Sequence, residues 1–577
     1  MLSLPADGRR LPESGLVAGP FEVGGRAVSM ALLTGVPGFA DGPFTVDGRT
    51  AVGEVTLHNR DELHAALAAA GRPVEPGTPD GELLLRCWLA LGPEGLRAAD
   101  GMFTLAVLDG PDLVLVRDHT GARTAFHCRT RDGGWAVSSS LRALRRRPDV
   151  DTGLDLAAVR SFLTFAYLPG TETLLRGVSE LLPGKVTRLG ADGSVRIEEF
   201  WEPQARTLDL TDEQQYASGL RELLERAVAR RLPDGQDVAV LLSGGVDSSL
   251  VTALAARLHD RPVHTYSISF GNELPNELGY SGLVAAHCGT RHRVLTVPGE
   301  QVAARLADTV ALLDSPVGDP LTVPNLMLAE AVAGDGLSVS LNGEGGDPVF
   351  GGPKNLAMLV FELLRDDPSE QARADAYLHT YRKCWEDLPV LLTGEALAEL
   401  DALGPAAHPR RHVAPYLTDR RMPSLLDQLL HCNLRTKGAH HILTKVERLT
   451  ASQGVQGRSP LFDRQVVEHA FATPSALKLR ATEEKWILKE AVRDLLPDTV
   501  TYRPKSGMRV PVQQWLRGPL SELTGDLLLG AGARARGLFR ADTVETWMHG
   551  GGLLLPRQGG KLWLLLTLEL WLRAYDL

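Results

Sequence analysis

Residues 238–257 read "VAVLLSGGVDSSLVTALAAR". The apolar run stops at Ser243, turns through Gly244 and Gly245, and restarts with apolar residues three and four apart, the pattern of a strand, a tight loop and a helix. Adjacent glycines let backbone N–H groups approach an anion, and Ser248 and Ser249 open a helix whose positive end favours phosphate. A purely structural turn between strand and helix is the plain alternative. Asp247, set between Ser243 and Ser248, argues for more, because an acid in a phosphate loop makes sense when a metal bridges it to the phosphates. No Gly-Lys-Ser/Thr follows the glycines, so this is not a Walker loop.

The string SGG-V-DSS instead resembles the pyrophosphate loop of the N-type ATP pyrophosphatases, which cleave ATP between its α and β phosphates. The resemblance names an energy source, ATP, and leaves the product open.

The bulk composition bounds the rest. A chain of 577 residues, 44% hydrophobic and 23% charged, is long enough for two large domains with sizeable cores. The formal net charge is −10 and no basic stripe with interleaved aromatics is present, so a nucleic-acid partner is not expected. "LRRR" at 144–147 reads as a solvated linker. The five cysteines, Cys87, Cys128, Cys288, Cys384 and Cys432, show no CxxC spacing and read as reduced, mostly buried thiols. "MLSLPADGRRLPESG" lacks the charged start and apolar core of a signal peptide. "LWLLLTLELWL" is too short to span a bilayer and carries Glu569, so it reads as a buried helix. The expectation is a cytoplasmic protein without a membrane partner.

Along the first ~140 residues, "RTAVGEVTLHN" and "GMFTLAVLDGPDLVLVRD" read as antiparallel strands by their alternation and glycine turns, with "RDELHAALAAAG" helical between them. "GKVTRLGADGSVRIEEFW" adds strand character up to Trp201. From "TDEQQYASGLRELLERAVARRL" onward helices alternate with the buried strands "DVAVLL", "VHTYSISF" and "GLSVSLNG", which predicts a parallel sheet with helices on both faces. Past Gly352 the chain reads as helical, apart from a surface loop at "LGPAAHPRRH". Ser243, "SISF" and "NGEGGD" all lie at carboxyl ends of strands, where open parallel sheets collect ligands.

These stretches, with "FLTFAYLPGTETLL", "LLPGK", "VAAHCGTRH", "DSPVGDPLTVP", "GRSPLFD" and "EEKWILKEAVRDLLPDTVTYRPKSGMRVPV", resemble the asparagine synthetase family, with its β-lactam synthetase and lasso-peptide cyclase relatives, over nearly the whole length. The resemblance implies an α/β protein in two domains. Residues 1–204 form a glutaminase-like domain, an Ntn-hydrolase-like α+β sandwich with antiparallel sheets. Residues 205–577 form a parallel-sheet ATP pyrophosphatase domain with a helical tail.

It also implies roles. Ser243, Gly244, Gly245 and Ser248 would hold the β and γ phosphates of ATP, and Asp247 and Asp347 would bind Mg2+ that offsets charge on the departing pyrophosphate. Leu242, Ile268 and Gly343 match positions that enclose adenine and ribose. Lys485 would stabilise the pentacoordinate phosphorus and later the oxyanion. Glu344 sits where the family has an acid near the acyl-adenylate, placed to accept a proton from the attacking amine. Outside the resemblance, Lys485 reads as a solvated surface charge and Glu344 as a turn residue. Glu277 and Arg458 fall on family positions that a plain ion pair would also explain.

The first domain departs from the family. Glutamine-hydrolysing members present an N-terminal cysteine as nucleophile, where "MLSL" places Leu2. The Asn-Gly-Glu whose asparagine helps stabilise the oxyanion reads Val52-Gly53-Glu54. The arginine motif for the glutamine carboxylate is not evident in "AVSMALLTGVPGFADG", while Asp80 matches a substrate-amine aspartate. Nitrogen is then expected from ammonia or a substrate amine. The first domain is left as scaffold, homodimer surface or lid.

Around the acyl pocket, Ser315, Pro348 and Gln456 replace family acids, which weakens aspartate as the carboxylate. Glu344 stands where β-lactam synthetases carry tyrosine. The implied activity is an ATP-dependent ligase joining a small carboxylic acid to an amine. Ammonia-dependent asparagine synthesis and a non-catalytic nucleotide-binding protein are the alternatives. His408 and His412, separated by Pro409, read as loop histidines, and His440 and His441 as helix-surface or core residues rather than metal ligands.

Overall fold

The central strands of the first half are buried on both faces. In "GMFTLAVLD" every residue from Met102 to Leu108 is buried, so this strand is covered on both sides. The structure, a computed structural model, describes residues 19–23, 26–31, 40–206, 208, 210, 212–271, 277–381, 383–503, 508–550 and 558–577. One compact unit comprises 1–153, 170–203 and 438–457, and a second comprises 154–169, 204–437 and 458–577.

In the first unit the strands are β1 (Gly19–Val23), β2 (Arg26–Ala31), β3 (Ala40–Val46), β4 (Arg49–Leu57), β5 (Gly101–Asp109), β6 (Asp112–Arg117), β7 (Phe126–Arg129), β8 (Trp135–Ser138), β9 (Val178–Glu180), β10 (Lys185–Leu189) and β11 (Val195–Glu199). They form two sheets, β1-β2-β8-β7-β9 and β11-β10-β6-β5-β4-β3. Val52, Ala106, Leu108, Leu113 and Leu115 of one sheet share a buried cluster with Val137 of the other, so the sheets pack as a sandwich. The pairing is antiparallel with one exception, β2 with β8, which run parallel.

Residues 438–457 are fastened to this sandwich through buried charge. Arg117 is fully buried and donates to Glu180 (2.9 Å) and to the carbonyl oxygens of Leu181, Arg123 and Ala439. His440 Nδ1 lies 3.2 Å from Glu180 and is buried, so of the two expected roles it takes the core one. Glu447 is buried 3.8 Å from Arg123. Burial, with Glu54 adding to it, pushes its carboxyl up to about 7 against the pull of Arg448 and Arg123. Between the ordinary carboxyl value and about 7 the folded state therefore holds the extra proton, and stability falls as pH rises through that window. Glu447→Gln is expected to remove this dependence. Its stability relative to the parent should rise by about 3 kcal/mol between pH 5 and pH 8. Thermal melts across pH read the effect, and a difference that does not change with pH would contradict it.

In the second unit β12 (Val238–Leu241), β13 (Val263–Ser269), β14 (Arg291–Thr296) and β15 (Val339–Asn342) pair in parallel in the order β14-β13-β12-β15. The chain steps outward from β12 to β14, then returns to place β15 on the other flank of β12. That reversal opens a crevice at the carboxyl ends of β12 and β15. Strand β14 escapes sequence reading because "RHRVLT" is an exposed, charged run, the usual protection of a sheet edge.

The tail helix Gln558–Ala574 is buried, with Trp563, Leu564, Leu565, Leu566, Trp571 and Leu572 at 1% exposure or less. Glu569 inside it pairs with Arg536 and Arg573, each at 2.7 Å. Among the described residues no helix is long and apolar enough to cross a membrane.

Two smaller expectations change. "LRRR" overlaps a short helix, Leu141–Arg145, whose Leu144 is buried. "LGPAAHPRRH" is not a free surface loop. It forms two 3-10 turns with Ala407 and Pro409 buried, and burial lowers both His408 and His412, the latter to about 3. The five cysteines are free, four buried and Cys288 half-buried, in line with the expected reduced, mostly buried thiols.

Candidate active site

Leu242 continues the register of β12, its N–H donating to Tyr266 O at 2.8 Å, and its side chain lies in the core. Ser267 Oγ donates to Leu242 O at 2.5 Å, which ties the neighbourhood of Ile268, itself buried, to the start of the loop. The loop then braces itself with hydroxyls. Ser243 N–H donates to Ser248 Oγ (3.1 Å), the two serine hydroxyls lie 3.0 Å apart, and Ser248 Oγ donates to Gly245 O (3.2 Å).

Gly244 has φ +83, and a Cβ there would lie 2.7 Å from Ser281 N and 2.9 Å from Tyr280 Cβ. Glycine is needed both for conformation and for space. Gly245 caps the helix Val246–Leu258, whose first N–H groups and dipole face the loop.

A second loop leaves β15. Asn342 organises it by donating to Arg458 O (3.2 Å) and accepting from Ser459 Oγ (2.9 Å) and Glu344 N–H (3.0 Å). A Cβ on Gly343 would overlap Ser248 N, and one on Gly346 would overlap the Asp247 carboxylate. The two loops therefore meet backbone to backbone, which explains the glycines of "NGEGGD". Glu344 is half-buried in that loop.

Lys485 brings the third segment in. Its side chain is 1% exposed, so it is not the solvated charge that its helix-start position suggests in isolation. Nζ lies 2.5 Å from Asp247 Oδ2 and 2.6 Å from Asp347 Oδ1. Burial works against its charge, but the two carboxylates hold its pKa above the ordinary lysine value. It is a fixed cation and not a base at neutral pH. Its backbone has φ +57, left-handed for a non-glycine residue, a strain of about 1 kcal/mol of the kind found at functional sites.

The structure thus joins Ser243, Gly244, Gly245, Asp247 and Ser248 to Gly343 and Asp347, with Lys485 between the acids. Asp247 Oδ1 is buried without a hydrogen-bond partner. Two carboxylates converging on one cation, with one oxygen unpaired, suit Mg2+, which binds through one or two carboxylates plus phosphate oxygens and water. Among the described residues no cluster of three or more His, Cys, Asp or Glu side chains offers a protein-only metal site.

Sequence reading missed Arg503. Its Nη2 donates to Glu277 Oε1 at 2.5 Å and its guanidinium stacks 4.2 Å from the centre of the Tyr280 ring. Its only sequence signal is its place in "TYRPKSGM". Glu277 is thus ion-paired as the plain reading allows, whereas Arg458 donates to Arg231 O at 2.6 Å. Of the acyl-pocket substitutions, Ser315 is buried with no partner for its hydroxyl, and Pro348 is buried. Gln456, expected at the same pocket, donates its amide to Thr56 Oγ1 within the first unit (2.9 Å).

In the first unit Leu2 lies outside the described residues, as does much of "AVSMALLTGVPGFADG". Val52 is fully buried in the apolar cluster with Ala106 and Leu108. Asp80 accepts from Leu57 N–H (2.8 Å) and pairs with Arg60, so its carboxylate is already engaged. Glu54 accepts from Ser139 Oγ at 3.0 Å.

Residues 219–573 match the family model described as asparagine synthase, and residues 40–201 match that described as glutamine amidotransferase domain. The chain is 29% identical over 490 residues to a putative glutamine-hydrolysing asparagine synthetase of Mycobacterium tuberculosis, covering 80% of this chain and 74% of that one. It is 26% identical over 504 residues to the carboxyethyl-arginine beta-lactam-synthase of Streptomyces clavuligerus, covering 87% and 79%. It is 23% identical over 497 residues to asparagine synthetase 1 of Bacillus subtilis, described as glutamine-hydrolysing, covering 82% and 77%.

Proposed function

This chain belongs to the asparagine synthase family, and from that premise we propose that it is an ATP-dependent carbon–nitrogen ligase that activates a small carboxylic acid as its adenylate and transfers the acyl group to an amine or ammonia without hydrolysing glutamine. The observation that carries the proposal is Lys485, buried between Asp247 and Asp347 at the crevice between β12 and β15.

Ser243, Gly244, Gly245 and Ser248 hold the polyphosphate. Asp247 and Asp347 would hold Mg2+, which when bound would supply positive charge against the leaving pyrophosphate. Lys485 keeps a positive charge where the non-bridging phosphoryl oxygens and then the acyl oxygen become most negative. Glu344 accepts the proton that the attacking amine sheds.

Two features support a nitrogen source other than glutamine. Val52 offers only a buried apolar side chain where the oxyanion donor belongs. Asp80 is engaged by Arg60. The specialised, biosynthetic reading over plain asparagine synthesis rests on Ser315 and Pro348, which remove acids from the acyl pocket. The retained set Asp247, Asp347 and Lys485 speaks against a non-catalytic nucleotide binder.

The test is a panel of acids incubated with the protein, ATP and Mg2+ in the absence of glutamine, followed by capture with amines. AMP and pyrophosphate should form in equal amounts with the right acid. Formation of ADP, or asparagine made from aspartate and ammonia in preference to every other pair, would overturn the proposal at its first or second half respectively.

A further inference from the structure

The phosphate loop has a neighbour that the reaction scheme above leaves idle. Arg503 has a side chain only 9% exposed, yet its contact with Glu277 is a single point, through Nη2 at 2.5 Å. An arginine buried for structure alone favours the forked, two-bond geometry with a carboxylate. Its guanidinium instead lies over the Tyr280 ring at 4.2 Å, and among the described residues its edge makes no hydrogen bond besides the one to Glu277.

The position of that edge is informative. Arg503 Nη2 lies 3.9 Å from where a Cβ on Gly245 would be, and Tyr280 Cβ lies 2.9 Å from where one on Gly244 would be. One aromatic residue thus backs the phosphate loop and carries the guanidinium to its rim.

Charge supplies the second half of the argument. Lys485 is shared by Asp247 and Asp347, so these three side chains sum to a net negative charge. The loop itself offers only N–H groups and hydroxyls. A polyphosphate drawn into such a place gains from a further fixed cation.

We propose that Arg503 is a second cationic contact for the polyphosphate end of the nucleotide, held at the rim of the loop by Glu277 and Tyr280. The inference rests on the ligase reading. It adds that the site distinguishes ATP and pyrophosphate from AMP through this residue.

Calorimetric titration of the full chain with MgATP, with magnesium pyrophosphate and with AMP tests it, using Arg503→Gln and Arg503→Lys. Loss of one charge-assisted contact should weaken ATP and pyrophosphate binding about 10-fold in the glutamine variant. The lysine variant should recover part of the loss, and AMP affinity should stay at the parent value in both. Equal weakening of AMP and ATP would mark a structural role and overturn the inference, as would unchanged ATP affinity in a parent protein that binds ATP. A parent protein that binds no ATP at all would instead remove the ligase reading on which the inference stands.

Discussion

Lys485→Ala is expected to lower AMP and pyrophosphate formation about 1,000-fold, the scale of removing one preorganised electrostatic contact in a water-excluded site. The effect should fall on kcat, with KM for ATP changed little. Lys485 is committed to Asp247 and Asp347 before nucleotide arrives, so its charge is already in place when negative charge develops, and reorganisation costs nothing at that moment. Lys485→Arg should not restore the rate, because a planar fork does not reproduce one ammonium seated 2.5 and 2.6 Å from two carboxylates. Steady-state kinetics on the acid that best supports pyrophosphate release decides the point. Turnover that survives the alanine substitution would remove Lys485 from the chemistry.

Glutamate release from glutamine is expected to stay at the no-enzyme baseline, with or without ATP and acid. Removing one oxyanion donor ordinarily costs about 100- to 1,000-fold, and on the proposed reading Val52, buried and apolar, takes the place of that donor. Val52→Asn should not help. It would place an amide among Ala106, Leu108 and Leu115, a burial expected to cost about 2 kcal/mol without a partner. A coupled glutamate assay and a thermal melt of the variant check both halves.

Much of the second unit was legible because its signals are local. Strand, glycine turn and helix follow one another within residues 238–257, and the strand ends that carry Ser243 and Gly343 are adjacent in the sheet as their shared chemistry suggests. Lys485 shows the limit. At the start of a helical stretch it looks like surface, and only a contact 238 residues distant in sequence reveals a buried cation. Arg503 is hidden in the same way, since its partners Glu277 and Tyr280 lie on another element. The edge strand β14 hides for the opposite reason, its protective charge erasing the apolar pattern. In the first unit, substitution of residue type was readable at Val52, but its burial in the sandwich core was not. The fastening of 438–457 by Arg117 and Glu180 leaves no pattern in either segment alone.

The central claim is that ATP splitting persists while glutamine hydrolysis is absent. One reaction tests it: the full chain with ATP, Mg2+, an activated acid, a free amine, and glutamine labelled with heavy nitrogen on its side-chain amide, with AMP, glutamate and product followed together. AMP and unlabelled amide should accumulate in step while glutamate stays at baseline. Glutamate rising in step with AMP, and heavy nitrogen in the product, would contradict the account.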